Sequence, residues 1–83
     1  MVDNLLKGIL VLDDLEECYR FFFVFCTVAE IKSIAQRFEV ACMLRKKKTY
    51  SEIVDKTGAS TATISRVNRA LNYGADGYNL VLD

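Results

Sequence analysis

The sequence contains no histidine and no proline. Without imidazole groups, histidine-based acid–base catalysis, Ser-His and Cys-His dyads and nearly all zinc sites are excluded. The carboxylates at residues 13–17 precede a predicted helix, where they complement its dipole rather than form a catalytic pair. Enzymatic activity is therefore not expected.

The absence of proline leaves long helices uninterrupted.

Long hydrophobic runs and a secretory signal are also absent. The longest apolar run inside the chain, Phe21–Cys26, has six residues, whereas a membrane-spanning helix needs about twenty. The three cysteines, Cys18, Cys26 and Cys42, form no C-x-x-C pair. An odd number of cysteines without a secretory signal is typical of reduced, buried thiols. We therefore expect a cytoplasmic protein with no membrane span, no metal and no cofactor.

The chain is short and rich in apolar side chains. It has 83 residues, of which 52% are hydrophobic, more than one small domain buries easily. The segment Phe21–Phe25 is apolar on every side, and a helix of that kind must be covered on every side. We therefore predict a homodimer in which a second copy covers it. A strand is the alternative for this segment, although no alternating pattern and no turn-flanked partner strand support it.

Apolar spacing and capping residues predict an all-α fold. Helices are expected over Asn4–Leu12, from Asp13 or Asp14 to about Cys26, and from Thr27 to about Arg45. The third helix begins with Thr27 followed by Glu30, a capping-box pattern. It also has the clearest helical periodicity of the chain, carried by Ile31, Ile34, Ala35, Phe38, Ala41 and Cys42.

The stretch Thr49–Leu71 is typical of two short helices joined by a tight turn. Thr49 followed three residues later by Glu52 is a second capping-box pattern. Gly58 can end the first helix, because glycine takes left-handed backbone without a Cβ penalty. A turn glycine with apolar residues six and nine positions later is the helix-turn-helix arrangement. An ordinary helical hairpin in a small bundle is the alternative.

The second helix of this pair is predicted to read DNA. It covers about residues 60–73, is capped by Ser60 and has Ile64, Val67 and Leu71 on its buried side. Its other side is small, hydroxyl-bearing and basic, and no acid occurs between Ser60 and Ala75. Small side chains let a helix enter the major groove, where arginines bind guanine edges.

Charge is distributed unevenly, although the formal net charge is zero. Residues 1–30 carry six acids and two bases, a net of −4, whereas residues 43–72 carry seven bases and two acids, a net of +5. This asymmetry indicates one electropositive face of the kind that binds nucleic acid. Lys46, Lys47 and Lys48 are expected to contact phosphates. A solvated basic loop is the alternative for these lysines.

Three segments resemble the Trp repressor superfamily, in particular its short YerC/YecD-type branch. They are DLEECYRFF (Asp14–Phe22), AQRFEVACMLR (Ala35–Arg45) and TGASTATISRVNRALNYG (Thr57–Gly74). The resemblance implies an intertwined helical homodimer with one helix-turn-helix per subunit, reading half-sites about one helical turn apart. The expected layout is one domain over residues 1–83, with dimerisation helices in 1–45, the helix-turn-helix in 49–73 and a C-terminal helical turn in 75–83.

The tryptophan site of that family is not matched throughout. In Trp repressor the indole lies between two arginines; Arg66 matches the second, whereas Gln36, with Arg37 beside it, stands at the first. Val67 adds bulk where Trp repressor has glycine. Ala70 lacks a hydroxyl that Trp repressor uses in its tryptophan site. Tryptophan is therefore not the expected effector, and Arg66 is left to contact phosphate or base.

The resulting prediction is a homodimeric, sequence-specific transcription regulator that binds double-stranded DNA. The alternatives are a repressor that needs a small-molecule corepressor in a pocket between subunits, and a helical adaptor that binds protein. The predicted DNA-contacting residues are Lys46, Lys47, Lys48, Ser60, Thr61, Ala62, Thr63, Ser65, Arg66 and Arg69. The predicted dimer-interface residues are Leu15, Phe21, Phe22, Phe25, Ile31, Ile34 and Phe38.

Overall fold

The computed structural model describes residues 1–74 and 76–82. Its helices, in chain order, are α1 Val2–Leu10, α2 Leu15–Phe25, α3 Val28–Arg45, α4 Tyr50–Thr57, α5 Thr61–Tyr73 and α6 Gly77–Leu82. No strand occurs among the described residues, which confirms the all-α prediction. The aromatic segment Phe21–Phe25 lies within α2, so the strand alternative was wrong. Ala75 and Asp83, the two ends of the predicted C-terminal turn, lie outside the described residues.

Side-chain caps begin α2 and α3 at the predicted places. The Asp14 carboxylate accepts a hydrogen bond from the Glu17 N–H at 2.9 Å. Thr27 and Glu30 form the predicted reciprocal pair, with donor–acceptor distances of 2.8 and 3.1 Å. Hydrogen bonds from the backbone and then the side chain of Thr27 lower the pKa of Glu30 below its usual 4.5. The caps satisfy N–H groups that have no partner within their own helix.

The first helix lies two residues earlier than predicted at both ends. It covers Val2–Leu10 rather than Asn4–Leu12. Met1 makes no side-chain cap, so no capping residue marks this start in the sequence. The N–H groups of Val11 and Leu12 bond to carbonyls three residues back, at 3.2 and 3.1 Å. This tighter winding is typical of a helix end.

The chain divides into two compact units, Met1–Ile31 and Lys32–Asp83. In the first unit, no residue is buried in the single chain. Its aromatic rings pack on one another along α2, with Phe21 and Phe25 at 5.1 Å and Tyr19 and Phe23 at 5.7 Å between ring centroids. The first unit therefore has an apolar surface but no core of its own.

The second unit has a compact apolar core. The core residues come from α3, α4, the turn that follows α4, and α5; they are Val40, Ala41, Met43, Ile53, Ala59, Ile64 and Val67. Tyr78 and Leu82 of α6 pack against this core, so the last apolar segment of the sequence is helical as predicted. The core holds α4 and α5 on the second half of α3.

The apolar stripe predicted on α3 is not the face that packs against the helix-turn-helix. Of its members only Ala41 belongs to the core, and Ile34 and Phe38 are 49% and 41% exposed. The buried face runs through Val40 and Met43 instead. Helix α3 is apolar on two sides, and periodicity alone could not show which side the chain itself covers. The division into dimerisation helices and a helix-turn-helix domain stays a prediction.

Candidate nucleic-acid interface

Helices α4 and α5 and the turn between them form the predicted helix-turn-helix. The Thr49 hydroxyl accepts from the Glu52 N–H at 3.1 Å, and the Glu52 carboxylate accepts from the Thr49 N–H at 3.2 Å. Gly58 ends α4 with a φ of 71°, in the left-handed region that glycine enters without steric penalty. Its N–H donates to the Val54 carbonyl at 2.9 Å. The capping-box and turn predictions are therefore confirmed.

Helix α5 has a packed side and an exposed side. Ile64 and Val67 are buried and Leu71 packs against the core, as predicted. The outward residues predicted to contact DNA are all exposed; they are Thr61, Ala62, Ser65, Arg66 and Arg69. The first turn of α5 carries no acid, whereas those of α1 to α4 each carry at least one. The exposed side of α5 is thus small, hydroxyl-bearing and basic.

Two of the predicted DNA-contacting hydroxyls take part in capping α5. Ser60 Oγ accepts a hydrogen bond from the Thr63 N–H at 3.1 Å and donates one to Thr63 Oγ1 at 3.1 Å. Ser60 is exposed and Thr63 is half-buried. The pair fixes the start of α5, and its contact with DNA stays a prediction.

The three lysines after α3 form the C-terminal cap of that helix, and all three are exposed. The Lys47 N–H donates to the Leu44 carbonyl and the Lys48 N–H to the Met43 carbonyl, both at 3.0 Å. This is the Schellman pattern, whose left-handed position usually belongs to glycine. Lys47 occupies that position with a φ of 62°. Backbone strain at an exposed residue is a reason to look for a function of its side chain.

We expect Lys47→Gly to raise the free energy of unfolding by about 1 kcal/mol. In left-handed backbone the Cβ atom lies too close to a carbonyl oxygen, and glycine removes this contact. Part of the gain is lost because glycine also increases the conformational entropy of the unfolded chain. Urea unfolding at a fixed protein concentration measures the change. Lys48→Gly is the control, because Lys48 does not have a positive φ and should lose stability instead. Equal loss in both variants would show that Lys47 is not strained in solution.

Two polar contacts of the second unit could not be found from the sequence. The Gln36 carboxamide donates to the Thr57 carbonyl at 3.1 Å. Arg45 Nη1 donates to Asn79 Oδ1 at 2.6 Å. The partners lie 21 and 34 residues apart, and no spacing rule connects residues so far separated.

The predicted dimer-interface residues keep much of their apolar surface accessible in the single chain. Leu15 is 72% exposed and Phe25 is 59% exposed. Ile34 and Phe38 are also exposed. The remaining three are half-buried: Phe21, Phe22 and Ile31. These side chains are available to a partner, and their role in a dimer stays a prediction.

The sequence matches one protein family along its whole length. The family described as Trp repressor protein matches residues 1–83. The chain belongs to the Trp repressor family. Among similar solved structures is a TrpR-like protein from Eubacterium eligens, which is 62% identical in sequence and superposes with a TM-score of 0.92. The match covers 96% of this chain and 82% of that chain. A candidate Trp repressor from Staphylococcus aureus is 51% identical with a TM-score of 0.93, over 99% of this chain and 82% of that one.

A similar curated protein has no established function. It is YerC from Bacillus subtilis, 62% identical over 82 residues, which are 99% of this chain and 79% of YerC. The resemblance seen in the sequence is therefore confirmed, and so is the Trp repressor-like fold. The Trp repressor family is regulatory and non-enzymatic. No helix among residues 1–74 and 76–82 has the length and hydropathy needed to cross a bilayer.

Proposed function

We propose that the chain is a homodimeric transcription regulator that recognises specific DNA sequences by inserting α5 into the major groove. The exposed side of α5 carries the proposal, because its small side chains allow close approach to base edges. Arg66 and Arg69 lie on that side and supply the donors for bidentate contacts to guanine. The packed side, through Ile64 and Val67, holds α5 on the rest of the second unit.

A DNA-binding protein also needs contacts to phosphates, and the three lysines that follow α3 would supply them. Lys46, Lys47 and Lys48 would bind phosphates, which fixes the register on the duplex without reading its sequence. Each phosphate neutralised should make the slope of log affinity against log salt more negative by about 0.9. We therefore expect the affinity for DNA to fall steeply as the salt concentration rises, and binding that does not depend on salt would contradict this part of the proposal.

Apolar exposure in the first unit supports the homodimer. Side chains such as Leu15 and Phe25 would be covered by a second copy, and a two-fold dimer places two recognition helices on a palindromic site. The thiols of Cys18, Cys26 and Cys42 are free and half-buried. Reduced thiols suit the cytoplasm, where we place this regulator.

Selection of random duplex DNA by the purified protein, read by sequencing, tests the proposal. We expect enrichment of a palindrome whose half-sites lie about 10 base pairs apart. Absence of enrichment at any salt concentration would contradict effector-free DNA recognition. Repeating the selection with metabolite extract would then separate a corepressor-dependent repressor from a protein-binding adaptor.

We expect Arg66→Ala to weaken binding to the selected duplex by about 1–3 kcal/mol, and to relax the preference for one base pair, because a bidentate guanine contact is lost. Fluorescence anisotropy with the selected duplex and single-base variants measures both effects. Lys56→Ala is the control, since it removes an exposed charge of α4 that is not among the predicted contacts. If Arg66→Ala weakens all sequences equally, Arg66 does not read a base.

A further inference from the structure

A side chain of α3 reaches the turn of the helix-turn-helix. The Gln36 carboxamide donates to the Thr57 carbonyl at 3.1 Å, in a half-buried environment. Thr57 is the last residue of α4, and a carbonyl in the last turn of a helix has no N–H partner within that helix. Gln36 therefore supplies a hydrogen-bond donor to this oxygen at the edge of the core.

Thr57 is itself fixed by two further hydrogen bonds. Its hydroxyl donates to the Ile53 carbonyl at 2.7 Å and accepts from the Ala59 N–H at 3.1 Å. Ala59 is buried in the core, and Gly58 between them takes the left-handed conformation. The bonds of Thr57 hold the turn together, and Gln36 ties that turn to α3.

The position of Gln36 on α3 fits this role. Gln36 lies four residues before Val40 and seven before Met43, a spacing that places all three on one helix face. Val40 and Met43 are buried against the helix-turn-helix, so Gln36 extends that face by one polar residue. An apolar side chain there would pack as well but would leave the Thr57 carbonyl unsatisfied.

We infer that Gln36 is a positioning residue for DNA recognition. By tying the α4–α5 turn to α3, it sets the angle at which α5 is held, and no small molecule is needed to set it. The inference rests on the proposed function, because the angle matters only if α5 enters DNA. Losing the bond lowers the fraction of molecules in the binding-competent arrangement. The apparent affinity for DNA falls in proportion to that fraction.

Gln36→Met tests the inference, because methionine keeps the length of the side chain and lacks the donor. At a temperature where circular dichroism shows the variant fully folded, we expect its Kd for the selected duplex to rise about tenfold, which is about 1.4 kcal/mol. Amide exchange of Ala59 should accelerate with it. Lys32→Met, an exposed position one turn earlier on α3, is the matched control and should change neither quantity by more than about twofold. A purely structural role would change global stability while leaving the affinity of the folded variant intact.

Three results would overturn the inference. One is unchanged DNA affinity in folded Gln36→Met, and another is an equal loss in Lys32→Met. The third is a wild-type protein, stripped of ligands by unfolding and dialysis, that binds the selected duplex only after metabolite extract is added. If the wild-type protein selects no DNA at all, the proposed function fails separately. Exchange at Ala59 then still tests whether Gln36 holds the turn, and unchanged exchange would show that it does not.

Discussion

Ile64→Ala is expected to lower the free energy of unfolding by about 3 kcal/mol, within the 2–5 kcal/mol typical of buried isoleucine or leucine truncations. Ile64 is fully buried and lies in the core that joins α3, α4 and α5. The substitution removes three carbon atoms and leaves a cavity that closely packed neighbours fill only in part. Urea unfolding followed by circular dichroism measures the loss.

Ile64→Val is the graded control for this prediction. It removes one methyl group from the same place and should cost about 0.5–1.5 kcal/mol. All variants should be compared at one protein concentration, because the stability of a dimer depends on concentration. An Ile64→Ala variant that loses no more stability than Ile64→Val would mean that α5 does not pack on the core as described.

Phe25→Glu is expected to dissociate the proposed dimer. Burying a phenylalanine side chain contributes about 1.5–3 kcal/mol, and a two-fold dimer loses this contribution twice. A carboxylate at the interface would also lack a partner. The dimer Kd should therefore rise by at least about a hundredfold. Sedimentation velocity over a concentration series measures it.

Leu80→Glu is the matched control for the dimer prediction. Leu80 is 81% exposed, so the same replacement is made at an exposed apolar residue that lies outside the predicted interface. It should leave the dimer Kd within about twofold of wild type. A wild-type protein that sediments as a monomer at all concentrations, or a Phe25→Glu protein that dimerises as well as wild type, would contradict the homodimer.

The starts and ends of helices were predictable where a few neighbouring residues determine them. The capping pairs Thr27–Glu30 and Thr49–Glu52 each lie within four residues. The left-handed end of α4 depends on one residue, Gly58. The start of α1 was missed because no capping side chain marks it. The left-handed Lys47 was missed because lysine has no preference for that conformation, and carbonyls of the preceding turn hold it there.

Choices between faces and contacts between distant residues could not be predicted. Helix α3 offers one apolar side through Phe38 and another through Val40, and only packing determines which is buried. The bond between Gln36 and Thr57 joins residues 21 positions apart. In the sequence Gln36 stands out only as a departure from the tryptophan site of the family, and that departure does not indicate a bond to Thr57. For α5 the single buried stripe left one outward side, and the residues predicted there are exposed; they are Thr61, Ala62, Ser65, Arg66 and Arg69. Thr63 is half-buried, and contact of any of them with DNA stays a prediction.

The missing acid in the first turn of α5 has a consequence for protein engineering. Carboxylates at the start of a helix typically add 0.3–1 kcal/mol of stability, so a screen for heat resistance would reward them there. The same carboxylates would repel a phosphate backbone. Negative charge at this turn would therefore raise thermal stability but lower the affinity for nucleic acid. Variants chosen only for a higher melting temperature should therefore accumulate acids at the turn where the proposed DNA contact would be weakened most.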